Sequence, residues 1–169
     1  ELDRIGIRGA LAGALRYAGN PSLVSRAHFA RYLVEIGISK NVHDVFLHYL
    51  ARGKPGYVEH VWATLEEAMG WIKGAGGLAV IAHPGRYRLS QAEMDILFDR
   101  FRDLGGDAIE VSCGAHDGGQ VLAFARLARK FGLMASRASD FHGPDDSPID
   151  LGRAPPLPPD LTPVWTHLT

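Results

Sequence analysis

A single cysteine, Cys113, stands in the 169 residues, so no disulfide can form within the chain. That excludes a cystine-stapled scaffold and points to a reducing, cytoplasmic setting. An excess of charge is also lacking: 18 Lys and Arg against 19 Asp and Glu leave a formal net charge of −1. No whole-surface field remains to attract nucleic acid or an anionic membrane, so any anion must be held by local clusters. No apolar run approaches the ~20 residues that span a bilayer. The opening Glu1-Leu2-Asp3-Arg4 lacks the basic stub and apolar run of a secretory signal. What is present is ordinary for a folded chain: 46% hydrophobic and 22% charged residues, punctuated by 20 glycines. The length suits a domain with a sizeable core.

The first half reads as helices. Arg8 to Ala18 is rich in alanine and leucine and is stopped by Gly19-Asn20-Pro21. Arg26 to Ile36 carries Phe29, Tyr32, Leu33 and Ile36 on one face, and Asn41 can cap a helix striped by Val42, Val45, Phe46 and Tyr49. A Gly/Pro loop, Arg52 to Tyr57, follows. Thr64-x-x-Glu67 is a capping box that opens a further helix.

The second half alternates. Leu78 to Ala82 is a continuous apolar run, as expected of a strand buried on both faces. Ser90-x-x-Glu93 is a second capping box, with Met94, Leu97, Phe98 and Phe101 at helical spacing behind it. Ala108 to Cys113 reads as a strand, Val121 to Phe131 as a helix, and Leu133 to Ser136 as a third strand. Strand, helix, strand, helix, strand predicts a parallel sheet or barrel.

Parallel α/β folds bind ligands at the C-terminal ends of their strands. Those ends here are His83-Pro84-Gly85-Arg86, Ser112 to His116, and Ser139-Asp140-Phe141-His142. Residues two apart in an extended segment point the same way, so Asp140 and His142 are expected to face one point, a few ångströms from His83. A carboxylate with two imidazoles suits Zn²⁺, Mn²⁺ or Fe²⁺. The competing readings are a turn-capping Asp140 with a surface His142, and a core His83 bonded to a backbone carbonyl. Arg86 is a phosphate donor beside that site or the partner of a helix carboxylate. His116 is a substrate-facing group or an exposed loop histidine. Arg26, His28 and Arg31 open a helix, where free N–H groups favour an anion; Lys54 can reach a phosphate from its loop. Each of these is equally a solvated basic residue. Glu110, inside a strand, orients a ligand or belongs to a buried ion pair. Cys113 reads as a small core residue.

Five segments carry a resemblance: Ser25 to Arg31, Gly53 to Val58, Gly76 to Tyr87 (GGLAVIAHPGRY), Ile109-Glu110-Val111, and Ala138 to Pro144. Pro163-Val164-Trp165 fits with them. Together they resemble the PHP (polymerase and histidinol phosphatase) superfamily, and within it the 3′,5′-nucleoside bisphosphate phosphatases, a branch that includes the 5′-to-3′ exoribonuclease RNase AM. The resemblance covers nearly the whole chain. Ala138 departs from it, since the family usually has glycine before S-D-F-H.

The resemblance implies the C-terminal part of a distorted (β/α)7 TIM-like barrel, residues 63–169, preceded by a helical insertion and its flanks, residues 1–62. It implies His83, Asp140 and His142 as metal ligands, Mn²⁺ foremost, with Zn²⁺, Fe²⁺ or Mg²⁺ as alternatives. Arg26, His28, Lys54 and Arg86 would hold phosphate, and His116 and Arg86 would assist the reaction. The implied activity is hydrolysis of the 3′-phosphate of 3′,5′-nucleoside bisphosphates, or exonucleolytic trimming of short RNA 5′ ends. The family's remaining ligands lie in an N-terminal segment that this sequence lacks. The chain is therefore expected to need that segment, or another partner, to cover an apolar sheet edge. By itself it would act as a weakly metal-binding, non-catalytic module.

Overall fold

The computed structural model describes residues 1–144 and 147–168, and the chain divides into two compact units, Glu1–Val61 and Trp62–Thr169. Among the described residues no helix is long and apolar enough to cross a membrane.

The first unit is helical. Helices α1 (Ala10–Leu15), α2 (Arg26–Glu35) and α3 (Val42–Val45) enclose a core of Leu2, Ile7, Ala10, Ala30, Leu33, Val45 and Leu50. Asn41 caps α3 as its sequence position predicts, its Oδ1 accepting the Asp44 N–H at 2.8 Å. The helix then widens into one π turn, Phe46–Leu50.

The second unit carries the sheet. Strands β1 (Val80–Ile81), β2 (Ala108–Cys113) and β3 (Met134–Ala138) are parallel in the order β1-β2-β3. Helix α4 (Leu65–Gly74) precedes β1, and α5 (Gln91–Asp103) and α6 (Gly118–Phe131) occupy the two intervals. The core joins Met69, Ile81, Ile109 and Val111 to Phe98, Phe124 and Phe131, with Phe98 and Phe131 stacked at 5.6 Å. What is described is an open three-stranded sheet, not a closed barrel. The first strand is shorter than the apolar run suggested, because His83 turns the backbone into the left-handed region (φ 33°) and ends the ladder. Val80 is 37% exposed, so that strand is not covered on both faces. β3 is bridged on its outer side, where the Ala135 N–H donates to the Thr162 carbonyl.

Both anticipated capping boxes form. The Glu67 N–H donates to Thr64 Oγ1 at 3.2 Å and the Thr64 N–H to Glu67 Oε2 at 2.8 Å; Ser90 and Glu93 repeat the exchange. Replacing Thr64 by alanine is expected to destabilise the unit by about 1 kcal/mol, measurable as a small drop in denaturant midpoint with an unchanged slope.

Candidate metal centre

Parallel pairing puts the C-terminal ends of all three strands on one edge of the sheet. From that edge come His83 after β1, His116 after β2, and Asp140 after β3. His83 and Asp140 are the two non-glycine residues with positive φ among those described, at 33° and 54°. Such a conformation costs an L-residue with a Cβ about 1–2 kcal/mol, and it persists only where surrounding contacts impose it.

The contacts at His83 come largely from β2. Glu110 is 93% buried by its 7% exposure, and its Oε2 accepts the His83 N–H at 2.5 Å. The other buried polar side chain of β2, Ser112, donates to the Pro155 carbonyl at 2.7 Å. The turn Pro84–Arg86 closes with the Arg86 N–H on the His83 carbonyl, and the Tyr87 hydroxyl donates to the Ala82 carbonyl at 2.9 Å. Burial raises the Tyr87 pKa, and the Glu110 charge adds to the effect. Burial likewise raises that of Cys113, with Glu110 and Asp140 adding to it, so Cys113 stays a protonated thiol rather than a nucleophile.

Asp140 faces Arg86. The guanidinium Nη2 lies 2.8 Å from Asp140 Oδ2, yet that oxygen is buried without a directed hydrogen bond. The contact therefore balances charge while the lone pairs of Oδ2 stay unsatisfied. His83 Nδ1 is likewise buried, with no hydrogen-bond partner among the described residues. A protein rarely leaves such atoms unpaired, and an imidazole nitrogen with a carboxylate oxygen is a donor set that fits a divalent transition metal.

His142 departs from its expected pose. β3 ends at Ala138 and Asp140 is left-handed, so the two-residue alternation that would align Asp140 with His142 is broken. Instead His142 Nδ1 donates to the Asp140 carbonyl at 2.8 Å, and its backbone N–H donates to Ser147 Oγ. Among the described residues, no three His, Cys, Asp or Glu side chains are grouped closely enough to hold a metal by themselves.

His116 is neither exposed nor open to a substrate. It is 9% exposed and lies against Phe124; its Nδ1 is 3.1 Å from the Val111 carbonyl, and its Nε2 accepts the Gly85 N–H at 3.2 Å. A carbonyl can only accept and an amide can only donate, so the ring is neutral with its proton on Nδ1. No ring nitrogen is left to protonate a leaving oxygen, which removes the catalytic role expected of His116. The fixed bond depends on Gly85, 31 positions away, and nothing local to His116 marks it.

The basic candidates of the first unit are placed within that unit. Arg26 Nη1 reaches the Leu50 carbonyl at 3.4 Å, and the guanidinium lies over the Phe46 ring at 5.7 Å. His28 caps α2, its Nδ1 accepting the Ser25 N–H at 3.1 Å, which accounts for it without a phosphate. Lys54 is exposed in its turn.

No model of a known protein family matches the chain. The chain is 48% identical over 168 residues to a 3′,5′-nucleoside bisphosphate phosphatase of Chromobacterium violaceum, and 47% and 46% identical to the 5′-3′ exoribonucleases Rnm of Salmonella typhimurium and Escherichia coli. These alignments take in 98–99% of this chain but only 56–59% of the relatives, so the chain spans somewhat over half their length. In solved structures it is similar to a Chromobacterium violaceum amidohydrolase crystallised with sulfate and no metal, at 48% identity and a TM-score of 0.89, over 99% of this chain and 58% of that one. It is also similar, at 25% identity and a TM-score of 0.75, to a Bifidobacterium adolescentis protein classed provisionally as a metal-dependent phosphoesterase, again over 99% of this chain and 58% of that one. The named relatives are thus a phosphatase and two exoribonucleases, and the second structural neighbour carries a phosphoesterase classification.

Proposed function

We propose that the full protein is a metal-dependent phosphoesterase that removes the 3′-phosphate of 3′,5′-nucleoside bisphosphates. The observation that carries this reading is the pair of strained strand-end residues, His83 and Asp140, each with a buried atom lacking a hydrogen bond. With further donors beside them, His83, Asp140 and His142 would hold divalent metal, Mn²⁺ first. Further donors would come from sequence beyond this chain, in a closed barrel that also covers the exposed side of β1. When bound, the metal supplies a Lewis acid for the phosphoryl oxygens and acidifies the attacking water.

The residues of this chain have distinct tasks. Asp140 supplies the negative charge that holds a cation. Arg86 balances that charge when no metal is present and, being 49% exposed, can turn its remaining N–H donors to a phosphate. Glu110 holds the His83 backbone.

A second reading, 5′-to-3′ exoribonuclease action on short RNA, is favoured by the near-equal identity to the Rnm proteins. Both reactions hydrolyse a phosphoester, and substrate length separates them. The test offers the full protein a 3′,5′-bisphosphate and a 5′-phosphorylated RNA oligomer in competition. Preferential release of inorganic phosphate supports the first reading, release of mononucleotides the second, and turnover of neither contradicts both.

A further inference from the structure

We propose that His116 is a positioning residue: its imidazole is a strut that holds the turn at His83 in the form that can accept a metal. The inference rests on the functional reading above, but the strut itself is described independently of any metal.

The strut is rigid at both ends. Val111 lies within β2, the central strand, so its carbonyl is a fixed anchor for the Nδ1–H. The ring is held laterally by Phe124 of α6, with centroids 4.8 Å apart. Its far nitrogen then meets the Gly85 N–H, two residues past His83. A Cβ on residue 85 would lie 2.7 Å from His116 Cδ2 and 2.9 Å from Gln120 Nε2, so the ring can come this close only because position 85 is glycine. The His-Pro-Gly-Arg turn is thus clamped from β2 at two points. Glu110 takes the amide of residue 83 and His116 takes the amide of residue 85. Release of the second clamp frees the peptide that follows a strained His83, and the ring of His83 loses its fixed direction.

Two substitutions separate this role from mere packing. Asparagine places its amide near the Nδ1 position and can keep the bond to Val111 while losing the one to Gly85. Glutamine reaches the Nε2 position and can keep an acceptor for Gly85 while losing the anchor. In the full protein, His116→Asn is expected to weaken Co²⁺ affinity about 10–100-fold, as loss of a ligand-orienting partner does, with an altered visible absorption band. His116→Gln is expected to retain affinity within about threefold. Amide hydrogen exchange at Gly85 reads the strut without metal, and it should quicken in the asparagine variant only. Equal losses in both variants, in step with their melting temperatures, would overturn the inference, as would unchanged Co²⁺ binding in both. Failure of the unsubstituted protein to bind Co²⁺, with Gly85 still protected, would instead overturn the metal reading and with it the purpose assigned to the strut.

Discussion

Asparagine in place of Asp140 is expected to lower metal-dependent phosphate release by the full protein more than about a hundredfold, beyond the effect of losing a group that only orients a ligand. The substitution is nearly isosteric, and asparagine tolerates the left-handed backbone of position 140 as well as aspartate does. The fold should therefore survive, with a melting temperature within a few degrees of the parent. What disappears is the negative charge of Asp140 that faces Arg86. That carboxylate is the only anionic donor among His83, Asp140 and His142, and two imidazoles alone do little to neutralise a divalent cation. Steady-state assays with added Mn²⁺, run beside thermal melts, separate loss of the site from loss of the fold. Undiminished turnover in a stable variant would remove Asp140 from the site.

A methyl group on residue 114 is expected to be the most damaging single addition near the site. A Cβ built at Gly114 would stand 2.1 Å from the Ser139 carbonyl oxygen and 2.9 Å from Ile149 Cγ1. The first obstacle is backbone, so no rotamer change relieves it. The two segments are also joined, since the Gly114 N–H donates to the Ala138 carbonyl at 3.1 Å. Gly114→Ala must push the Ser139–Asp140 segment away from the end of β2. Overpacking of this kind costs about 1–3 kcal/mol, occasionally more. For a chain of this size that corresponds to a fall in melting temperature of roughly 2–12 °C. Because Asp140 directly follows the displaced carbonyl, Mn²⁺ affinity should fall with it. A melt that matches the parent would contradict the close approach of the two segments.

Much of the fold was legible because its signals are local. Thr64-x-x-Glu67 and Ser90-x-x-Glu93 start helices by bonds made within four residues, and both did. Asp117-x-x-Gln120 is a third box of the same kind, with the Gln120 N–H on Asp117 Oδ1 at 2.8 Å. β2 occupies the span expected of it, Ala108–Cys113, and all of it is buried. The length of β1 did not follow from its apolar run, because a left-handed His83 ends the ladder, and that conformation is imposed by Glu110 from another strand.

The site divides in the same way. Placing His83, Arg86 and Asp140 near strand ends needs only topology, and the structure puts His83 and Arg86 just after β1 and Asp140 just after β3. Aligning Asp140 with His142 required extended backbone, and the positive φ of Asp140 removed it. His116 is expected from sequence to face substrate or to sit exposed in a loop, and it does neither. Its burial depends on Phe124 and its hydrogen bonds on Val111 and Gly85, none of which its neighbours announce. Histidine at the third position of α2 likewise took the capping task usually given to glutamate, so a basic residue at a helix start was not by itself a sign of phosphate.

The most direct measurement is inorganic phosphate release from a 3′,5′-nucleoside bisphosphate by the full protein, stripped with a chelator and then titrated with Mn²⁺. Release that is absent after stripping, returns with Mn²⁺ and stays absent in the Asp140→Asn variant is the expected result. Release by the stripped protein, or equal release by the variant, would contradict a metal centre built on His83 and Asp140.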